Sequence, residues 1–369
     1  MRASLVLVLL LCAPAAWAEE RLRVEVDRPG RAELRLAVQR FLSAPDVDPD
    51  GAETLYQGLV AGLEFSGLIH PIDPEAFLEP IQTRDDDSPT IDCGSWRAIG
   101  ADGLVEGSIS RRFGRIRVRF RLWDVPRCQL LGDPALYDAS ADQLPWLARR
   151  VADELVRRFT GRRGVSATQI AFVSDQDGSR EVYLMEADGS GKTAVTSNHS
   201  INLFPSWSPN GDSLIYTSYR SGGPDLFLLS RGAKRSDRLL DRPFPKYRGV
   251  FSPDGKRIAI VMSEEGNTDI FLTNGKGRKP RRLTQHRSIE VSPTWSPDGK
   301  RLAFVSDRSG SPQIYVHEFG DGGTRRLTFR GPYNASPSWS PTGEWIVFAE
   351  QSGTNFDLYL ISPETGYTT

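Results

Sequence analysis

The sequence predicts an α/β N-terminal domain followed by an all-β propeller, and a repeat of 44 residues is the main evidence. The Ser-Pro pair at Ser208 recurs at Ser252, Ser296 and Ser340, each 44 residues after the last. An aromatic column and two apolar columns keep the same period: Trp207, Phe251, Trp295 and Trp339; Ile170, Leu214, Ile258, Leu302 and Ile346; Tyr183, Phe227, Phe271, Tyr315 and Tyr359. A period near 40 to 50 residues with several short strands per unit is typical of propeller blades.

The unit that begins at Trp295 shows why each repeat should form strands. Pro297 presets φ for the first corner of a tight turn, Asp298 can bond its own backbone, and Gly299 accepts a positive φ. The run from Leu302 to Val305 is continuous and apolar, as expected for a strand with both faces covered. Together with the strand that enters each motif aromatic, the unit contains four short strands, which matches one blade.

Five units are in register from about residue 167 to the end of the chain. The fifth ends at Thr369, three residues before the position that matches Thr328, so its outer strand is expected to be missing. Because neighbouring blades must cover each other's apolar faces, the ring is expected to close. The sequence therefore favours a fragment of a longer protein or an incomplete gene model over a five-bladed ring.

The first residues indicate a secretory signal peptide. Residues 1–18 contain one Arg, a short apolar core and a small-x-small cleavage site at Ala16 to Ala18. The apolar core is too short to span a membrane as a permanent helix. Cys12 offers a lipoprotein alternative, which the bulky Leu11 before it disfavours. We therefore expect cleavage before Glu19 and a soluble protein in the periplasm.

Residues 19–161 differ in kind from the repeats and predict an α/β or α+β domain. Strands are expected at Leu22–Val26, Leu34–Val38, Gly103–Ser108 and Arg115–Leu122, and helices at Glu53–Phe65, Trp96–Ile99 and Asp142–Thr160. Asp142 is the expected cap of the last helix, and Gly161 its end. Residues 161–167 are the expected hinge into a propeller domain at 167–369.

Composition and charge bear on the classes of partner. The chain has 46 basic and 47 acidic residues, a formal net charge of −1, so no bulk attraction to nucleic acid is expected, and no direct membrane insertion. An alternating series of arginines could bind an anionic partner, although a solvated strand face is the favoured interpretation: Arg115, Arg117, Arg119 and Arg121.

Beyond the signal, the chain has two cysteines, Cys93 and Cys128. They could form a disulfide in an oxidising compartment, or remain two unpaired core residues.

The sequence contains no catalytic or metal-binding motif that we recognise. No Gly-x-Ser-x-Gly tract is present, and the four histidines show no ligand spacing: His70, His199, His286 and His317. The tract from Asp188 to Thr193 resembles a phosphate loop, but Glu186 replaces its first glycine and the repeat places it in a hairpin turn. We therefore expect no enzyme activity, no cofactor and no metal.

The variable parts of the repeat are the loops just before each motif aromatic. A ring brings these loops to one end of its channel, and convergent loops on a rigid scaffold often carry function. Exposed Tyr, Arg and Ile there suit a protein partner. The expected partner-binding residues are Ile201, Asn202, Tyr247, Arg248, Ile289, Glu290, Val291, Tyr333 and Asn334.

With an export signal, an α/β domain and blades reading Trp-Ser-Pro-Asp-Gly-Lys-Arg-Leu-Ala-Phe, the chain resembles the TolB family of the Tol-Pal system over essentially its mature length. The order of elements sharpens the resemblance, from Leu22–Asp27 at the start to Leu122-Trp123-Asp124 before the closing helix. The resemblance implies six blades and binding of the lipoprotein Pal at the loop-bearing end, with Tyr247 and Val291 at Pal-facing positions. It also implies that the mature N-terminus engages TolA, and a role in outer-membrane integrity and cell division. The N-terminal partner segment comprises Glu19, Glu20, Arg21, Leu22 and Arg23.

Two alternatives remain open on the sequence. The blade motif also occurs in propellers attached to prolyl-peptidase-like serine hydrolases, and a catalytic domain could lie beyond Thr369. A glycan-binding propeller is the weaker alternative, because it would need exposed aromatic side chains along the channel. A Gly-x-Ser-x-Gly turn in an extension past residue 369 would favour the hydrolase, whereas about one more blade and a stop would favour the TolB-like protein.

Overall fold

The computed structural model describes residues 34–78, 91–320 and 322–369, which form two compact units. The division lies between Thr168 and Gln169, and residues 186–188 group with the first unit. The expected signal peptide, the strand at Leu22–Val26 and the partner segment at residues 19–23 lie outside the described residues.

The N-terminal unit combines one mixed sheet with two long helices. Its elements in chain order are β1 (Leu34–Val38), β2 (Leu42–Ser43), α1 (Pro49–Phe65), β3 (Ile69–Pro71), α2 (Cys93–Ala98), β4 (Gly103–Arg112), β5 (Arg115–Asp124), β6 (Gln129–Leu130), β7 (Ala135–Ala139) and α3 (Leu144–Thr160). Strand β1 runs parallel to β3 and β4, whereas β4, β5, β6 and β7 pair antiparallel around β5. Leu59, Val118 and Val151 are fully buried in one core, so α1 and α3 cover one face of the sheet.

The last helix of this unit begins differently from the sequence expectation. Asp142 is not its cap: it lies in a 3₁₀ turn, Ala141–Gln143, which Ser140 caps through a capping box with Gln143. Pro145 lacks an N–H and fits only the first turn of a helix, so the α-helix proper begins at Leu144. Its expected end is confirmed, because Gly161 adopts φ 69° and donates to the Arg157 carbonyl at 2.9 Å.

The two cysteines form a disulfide, which settles the alternative that the sequence left open. Cys93 begins α2, and Cys128 lies in the turn after β5, with 5.8 Å between their Cα atoms. The bond closes a loop of 35 positions, worth about 4 kcal/mol in the chain-entropy model. It holds α2 beside a second small core that includes Trp96, Leu104 and Trp123.

The second unit is a series of antiparallel sheets that follows the 44-residue period. Blade 1 contains β8 (Gln169–Ser174), β9 (Glu181–Glu186) and β10 (Thr193–Ala194); blade 2, β11 (Asn202–Trp207), β12 (Ser213–Ser218), β13 (Asp225–Ser230) and β14 (Asp237–Arg238); blade 3, β15 (Lys246–Phe251), β16 (Arg257–Glu264), β17 (Asn267–Asn274) and β18 (Arg281–Arg282); blade 4, β19 (Glu290–Trp295), β20 (Arg301–Ser306), β21 (Gln313–Glu318) and β22 (Gly323–Arg326); blade 5, β23 (Asn334–Trp339), β24 (Ile346–Ser352) and β25 (Asn355–Ile361). The described residues thus form five blades, as the period predicts.

The first strand of blades 2 to 5, which we call the entry strand, ends at the motif aromatic. Entry strands of successive blades contact each other, and therefore line the inner side of the series. In blade 5 the expected absence of an outer strand is only partial. Leu360 and Thr369 exchange backbone hydrogen bonds of 2.8 and 3.0 Å, at the register of the Leu228–Asp237 pair in blade 2.

Packing between blades explains the aromatic column. Trp295 is 7% exposed and lies in a core with Ala259 and Ile270 of the preceding blade. Its indole N–H donates to the Val250 carbonyl of that blade at 3.2 Å. The motif aromatic of one blade therefore fastens it to the blade before. Within the described ranges, no helix is long and apolar enough to cross a membrane.

Candidate partner-binding face

Each entry strand carries a bulge shortly after its start. In blades 2, 4 and 5 the residue at the bulge has a positive φ: 54° at Phe204, 54° at Ser292 and 52° at Ser336. Arg248 holds the same repeat position in blade 3, where the register also shifts. Bulges redirect side chains and often occur beside functional sites. The three positions with positive φ are therefore presented differently from the rest of their strands, whereas Arg248 stays paired with Val261.

Three of the predicted partner residues are instead buried, and two of them bond to the preceding blade. Asn202, Glu290 and Asn334 share one repeat position at the start of the entry strand, and each is 0% exposed. Asn202 Nδ2 donates to Glu181 Oε2 of blade 1 at 2.9 Å, and Asn334 Nδ2 donates to Gln313 Oε1 of blade 4 at 2.9 Å. A side chain without exposure offers no surface to a partner. They therefore form no part of an exposed surface.

The fourth member of this buried polar column, Lys246, was not among the residues selected from the sequence. It is 1% exposed, and its Nζ lies 3.0 Å from Asp225 Oδ1 of blade 2. The Nζ also donates to the carbonyls of Arg242 and Phe244 at 2.7 and 2.8 Å, within the connection itself. A signal was present, because the facing column is also polar throughout: Glu181, Asp225, Asp269 and Gln313.

In blade 4 the residue at this repeat position and the residue facing it are both acidic, and each forms its own ion pair. Glu290 pairs with Arg308 of its own blade, and its Oε2 accepts no hydrogen bond from the described residues. The facing Asp269 pairs with Arg282, whose Nε donates at 3.0 Å. Burying a carboxylate requires such a partner, since an unpaired ion in the interior is strongly destabilising. Each acid here has its own cation.

Other predicted residues remain exposed on connections that the buried column holds. Ile201, Ile289 and Tyr333 stand one position before it and are 43%, 54% and 38% exposed. The backbone N–H of Ile289 donates to Asp307 Oδ1 at 2.9 Å, and the Tyr333 ring meets Phe356 edge-on at 5.7 Å. These side chains therefore present apolar surface from connections with defined conformations.

Tyr247 and Arg248 follow Lys246 along the entry strand of blade 3, and both are half-buried. Thr217 Oγ1 of blade 2 donates to the Tyr247 carbonyl at 2.7 Å. The Arg248 guanidinium lies 5.6 Å from the centre of the Phe204 ring, and burial lowers its pKa. Among the described residues no carboxylate pairs with it. Val291, which holds the repeat position of Tyr247 in blade 4, is half-buried as well.

The part of the chain that the structure describes holds no group of three or more His, Cys, Asp or Glu side chains that could bind a metal. The tract resembling a phosphate loop is confirmed as a turn between β9 and β10, with Gly189 at φ 83° and Gly191 at φ 64°. Its Lys192 donates to Gln176 Oε1 at 2.7 Å.

Comparisons with known proteins agree with this architecture. The model of the TolB β-propeller domain matches residues 156–368, and that of the TolB amino-terminal domain matches residues 22–131. This chain belongs to the TolB β-propeller family. TolB from Acinetobacter baumannii has a similar solved structure, with a TM-score of 0.73 at 25% identity, covering 91% of this chain and 82% of that one.

Curated relatives of this TolB-family chain are named as proteins of the Tol-Pal system. It is 37% identical over 229 residues to the Tol-Pal system protein TolB of Desulfosudis oleivorans, covering 62% of this chain and 52% of the relative. It is 38% identical over 249 residues to that of Anaeromyxobacter dehalogenans, covering 67% and 56%. The chain thus spans about half the length of the curated relatives it matches. The names of these relatives refer to the Tol-Pal system and to no class of enzyme. They therefore favour the TolB-like interpretation over the serine hydrolase alternative.

Proposed function

We propose that this chain is a non-enzymatic periplasmic protein of the Tol-Pal system that binds a Pal-like peptidoglycan-associated lipoprotein. The proposed surface is the loop-bearing end of the propeller. The observation that carries the proposal is Arg248, a guanidinium without a carboxylate partner in the described residues, beside the exposed ring of Phe204. The family and the names of its relatives supply the system in which a partner is sought.

The chemistry of this surface fits a compact protein partner. Arginine and tyrosine are enriched among the residues that dominate binding energy, especially where they are central and partly desolvated. An acidic side chain of the partner would neutralise the charge of Arg248 by accepting two parallel hydrogen bonds from its guanidinium group. Ile201, Ile289 and Tyr333 would surround it with apolar contact.

The buried polar column contributes by limiting motion. Binding costs free energy wherever a loop or side chain must be ordered, about 0.5–1.5 kcal/mol for each immobilised flexible side chain. The connections before Asn202, Lys246 and Asn334 are held by hydrogen bonds to the preceding blade in the unbound protein. Less ordering then remains to be done on binding.

The second part of the proposal concerns the mature N-terminus. Residues 19–23 would engage a TolA-like inner-membrane protein, and the two contacts together would support outer-membrane integrity and cell division. The family resemblance supports this part. Removing residues 19–23 from the mature protein should abolish binding to a TolA-like domain and preserve binding to the lipoprotein.

Calorimetric titration of the exported protein with a purified Pal-like domain tests the propeller surface. Arg248→Ala and Tyr247→Ala should each weaken affinity by about 2 kcal/mol, near thirtyfold, with the melting temperature unchanged. Arg248→Lys should recover only part of the loss, because an ammonium cannot form the bidentate pair. Arg235→Ala, which removes an exposed arginine from the hairpin between β13 and β14, is the matched control and should bind normally. Unchanged affinity in both test variants would exclude this face.

A further inference from the structure

The hairpin of β4 and β5 ends in an exposed cationic tip with an aromatic residue at its apex. The two strands pair along their full length, from Gly103 with Asp124 to Arg112 with Arg115. The third strand, β7, accompanies β5 only as far as the pair of Ile116 with Ala139. Arg111 lies level with that pair, residues 112–115 extend past it, and all five residues are exposed.

Phe113 has no structural reason to occupy this apex. Its side chain is 91% exposed, the highest value among the large hydrophobic residues that the structure describes. It adopts φ 50° and is followed by Gly114 at φ 76°, as in a two-residue hairpin turn of type I′. Such a turn favours Asn or Asp at the first position, and a bulky residue with positive φ is unfavourable. Local folding would therefore prefer another residue at position 113.

The tip also carries three arginines that are not neutralised by the neighbouring strand. Asp138 of β7 is engaged by Arg117, whose Nε and Nη2 donate to its carboxylate at 2.8 and 2.9 Å and lower its pKa. Arg115 reaches only the backbone carbonyl of Asp138, at 3.3 Å. Arg111 and Arg112 form no ion pair with the described residues, and Arg112 lies 5.3 Å from the Phe113 ring centre. A local charge of about +3 thus surrounds one exposed aromatic ring, although the whole chain is nearly neutral.

We propose that this tip binds the surface of an anionic phospholipid bilayer. Aromatic rings are favoured at the boundary between headgroups and acyl chains, and guanidinium groups form bidentate hydrogen bonds with phosphate. Basic residues beside a bilayer gain further attraction from its negative surface potential. Phe113 enters the headgroup region, while Arg111, Arg112 and Arg115 contact lipid phosphates.

The shape of the tip favours a membrane over an acidic protein. A specific protein interface buries about 800 Å² on each partner, usually over a broad complementary surface. The hairpin instead offers a narrow convex end, and a Cβ added at Gly114 would meet nothing within 4 Å. A bilayer accommodates a narrow convex end because its lipids rearrange around it. The sequence expectation of a solvated strand face suits the rest of β5, and the tip is the exception.

Vesicle flotation of the full exported protein tests the proposal. Vesicles that contain phosphatidylglycerol should carry the protein upward, vesicles of phosphatidylcholine alone should not, and high salt should release it. Phe113→Asn should lower the bound fraction about tenfold while keeping the hairpin, because Asn suits the positive φ. The double variant Arg111→Ser with Arg112→Ser should lower it at least as much. Phe329→Asn, at another exposed phenylalanine (73%), should bind like the wild type.

The outcomes separate the proposal from its alternatives. Circular dichroism should show Phe113→Asn melting at or above the wild-type temperature, so that lost binding cannot be ascribed to unfolding. Equal binding by Phe113→Asn, equal binding to both vesicle types, or no binding to either would overturn the membrane proposal. So would a loss of heparin binding in Phe113→Asn as large as its loss of vesicle binding, because heparin has no headgroup region for the phenylalanine to enter. None of these results bears on the lipoprotein surface of the propeller.

Discussion

The two ends of an entry strand in the propeller are built by different means. At the end that follows the motif aromatic, the turns are closely alike from blade to blade. Ser296 Oγ donates to Asp298 Oδ1 at 2.6 Å and accepts from the Arg301 N–H at 2.8 Å, and Asp298 accepts from the Lys300 N–H at 3.0 Å. Blade 3 repeats these bonds at Ser252 and its turn. Every partner lies within six residues of sequence.

At the other end, the buried polar column of blades 2, 3 and 5 joins residues that are 21 positions apart, and the chemistry changes with each blade. Asn202 meets Glu181, Lys246 meets Asp225, and Asn334 meets Gln313. A turn whose hydrogen bonds are all local restricts each of its positions to a few residue types, and these types recur in blades 2 to 5. A contact between blades requires only that two side chains complement each other, so the residues can vary. The comparison predicts that the turn accepts only short side chains that can accept a hydrogen bond from the backbone two residues on, as Asn210, Asp298 and Thr342 do, whereas the contacts between blades can be exchanged in pairs.

The largest effect is expected where the local turn meets the packing between blades. Trp295→Ala should lower the free energy of unfolding by about 3–5 kcal/mol, because it leaves a cavity against blade 3 and removes the bond to the Val250 carbonyl. Urea unfolding measures it. Trp146→Ala, at a tryptophan that is 38% exposed, is the control of equal size and should change stability by less than about 1 kcal/mol. Similar losses in the two variants would contradict the packing role of the column.

Lys246→Ala should have the next largest effect, a loss of about 3 kcal/mol, because it leaves the half of a buried ion pair that remains in blade 2. The carboxylate left behind is Asp225, whose second cation, Arg238, is considerably more exposed than Lys246. Arg238→Ala should therefore lower the free energy of unfolding by less than about 1 kcal/mol. Thermal and urea unfolding of the two variants give the difference. If Arg238→Ala proved as harmful as Lys246→Ala, burial would not distinguish the two partners.

A paired exchange tests whether the contact between blades is transferable. Asn334→Lys should destabilise blade 5, since it buries an ammonium opposite an uncharged Gln313. Adding Gln313→Asp recreates the pair seen at Lys246 and should recover about 1 kcal/mol relative to the sum of the single losses. A double-mutant cycle by urea unfolding measures that coupling. Strict additivity would show that surroundings, rather than the pair, decide this position.

The smallest effect is expected in the turn itself. Gly299 has φ 68°, and a Cβ there would meet its neighbours at ordinary distances of 3.7 and 3.8 Å, so Gly299→Ala tests backbone strain alone. The expected loss is about 1 kcal/mol, and less for Gly299→Asn. Gly255→Ala should give the same value, because blade 3 has the same turn and similar clearance. Clearly unequal losses at the two glycines would mean that the turns are not independent of their blades.

Much of the fold could be predicted from the sequence because its evidence is local. Blade strands, turns and the end of α3 at Gly161 follow from residues a few positions apart, and the structure contains them where the period places them. The prediction that Asp142 caps α3 was wrong, because Ser140 and Gln143 form a capping box around the 3₁₀ turn that contains Asp142. Pro145 then requires the first turn of a helix, so α3 begins at Leu144. The disulfide could not be inferred, since only the folded sheet brings Cys93 and Cys128 together.

For the candidate site, the sequence by itself determined which repeat positions vary and therefore where to look. The tertiary structure alone decided which of those residues face outward. Asn202 and Ile201 are adjacent and equally variable, yet one is fully buried and the other 43% exposed. Burial depends on the neighbouring blade, whose facing residue lies 21 positions away, and no local pattern reports it. Likewise, the alternation of arginines along β5 is visible in the sequence, but the exposure of Phe113 follows from the hairpin extending beyond β7.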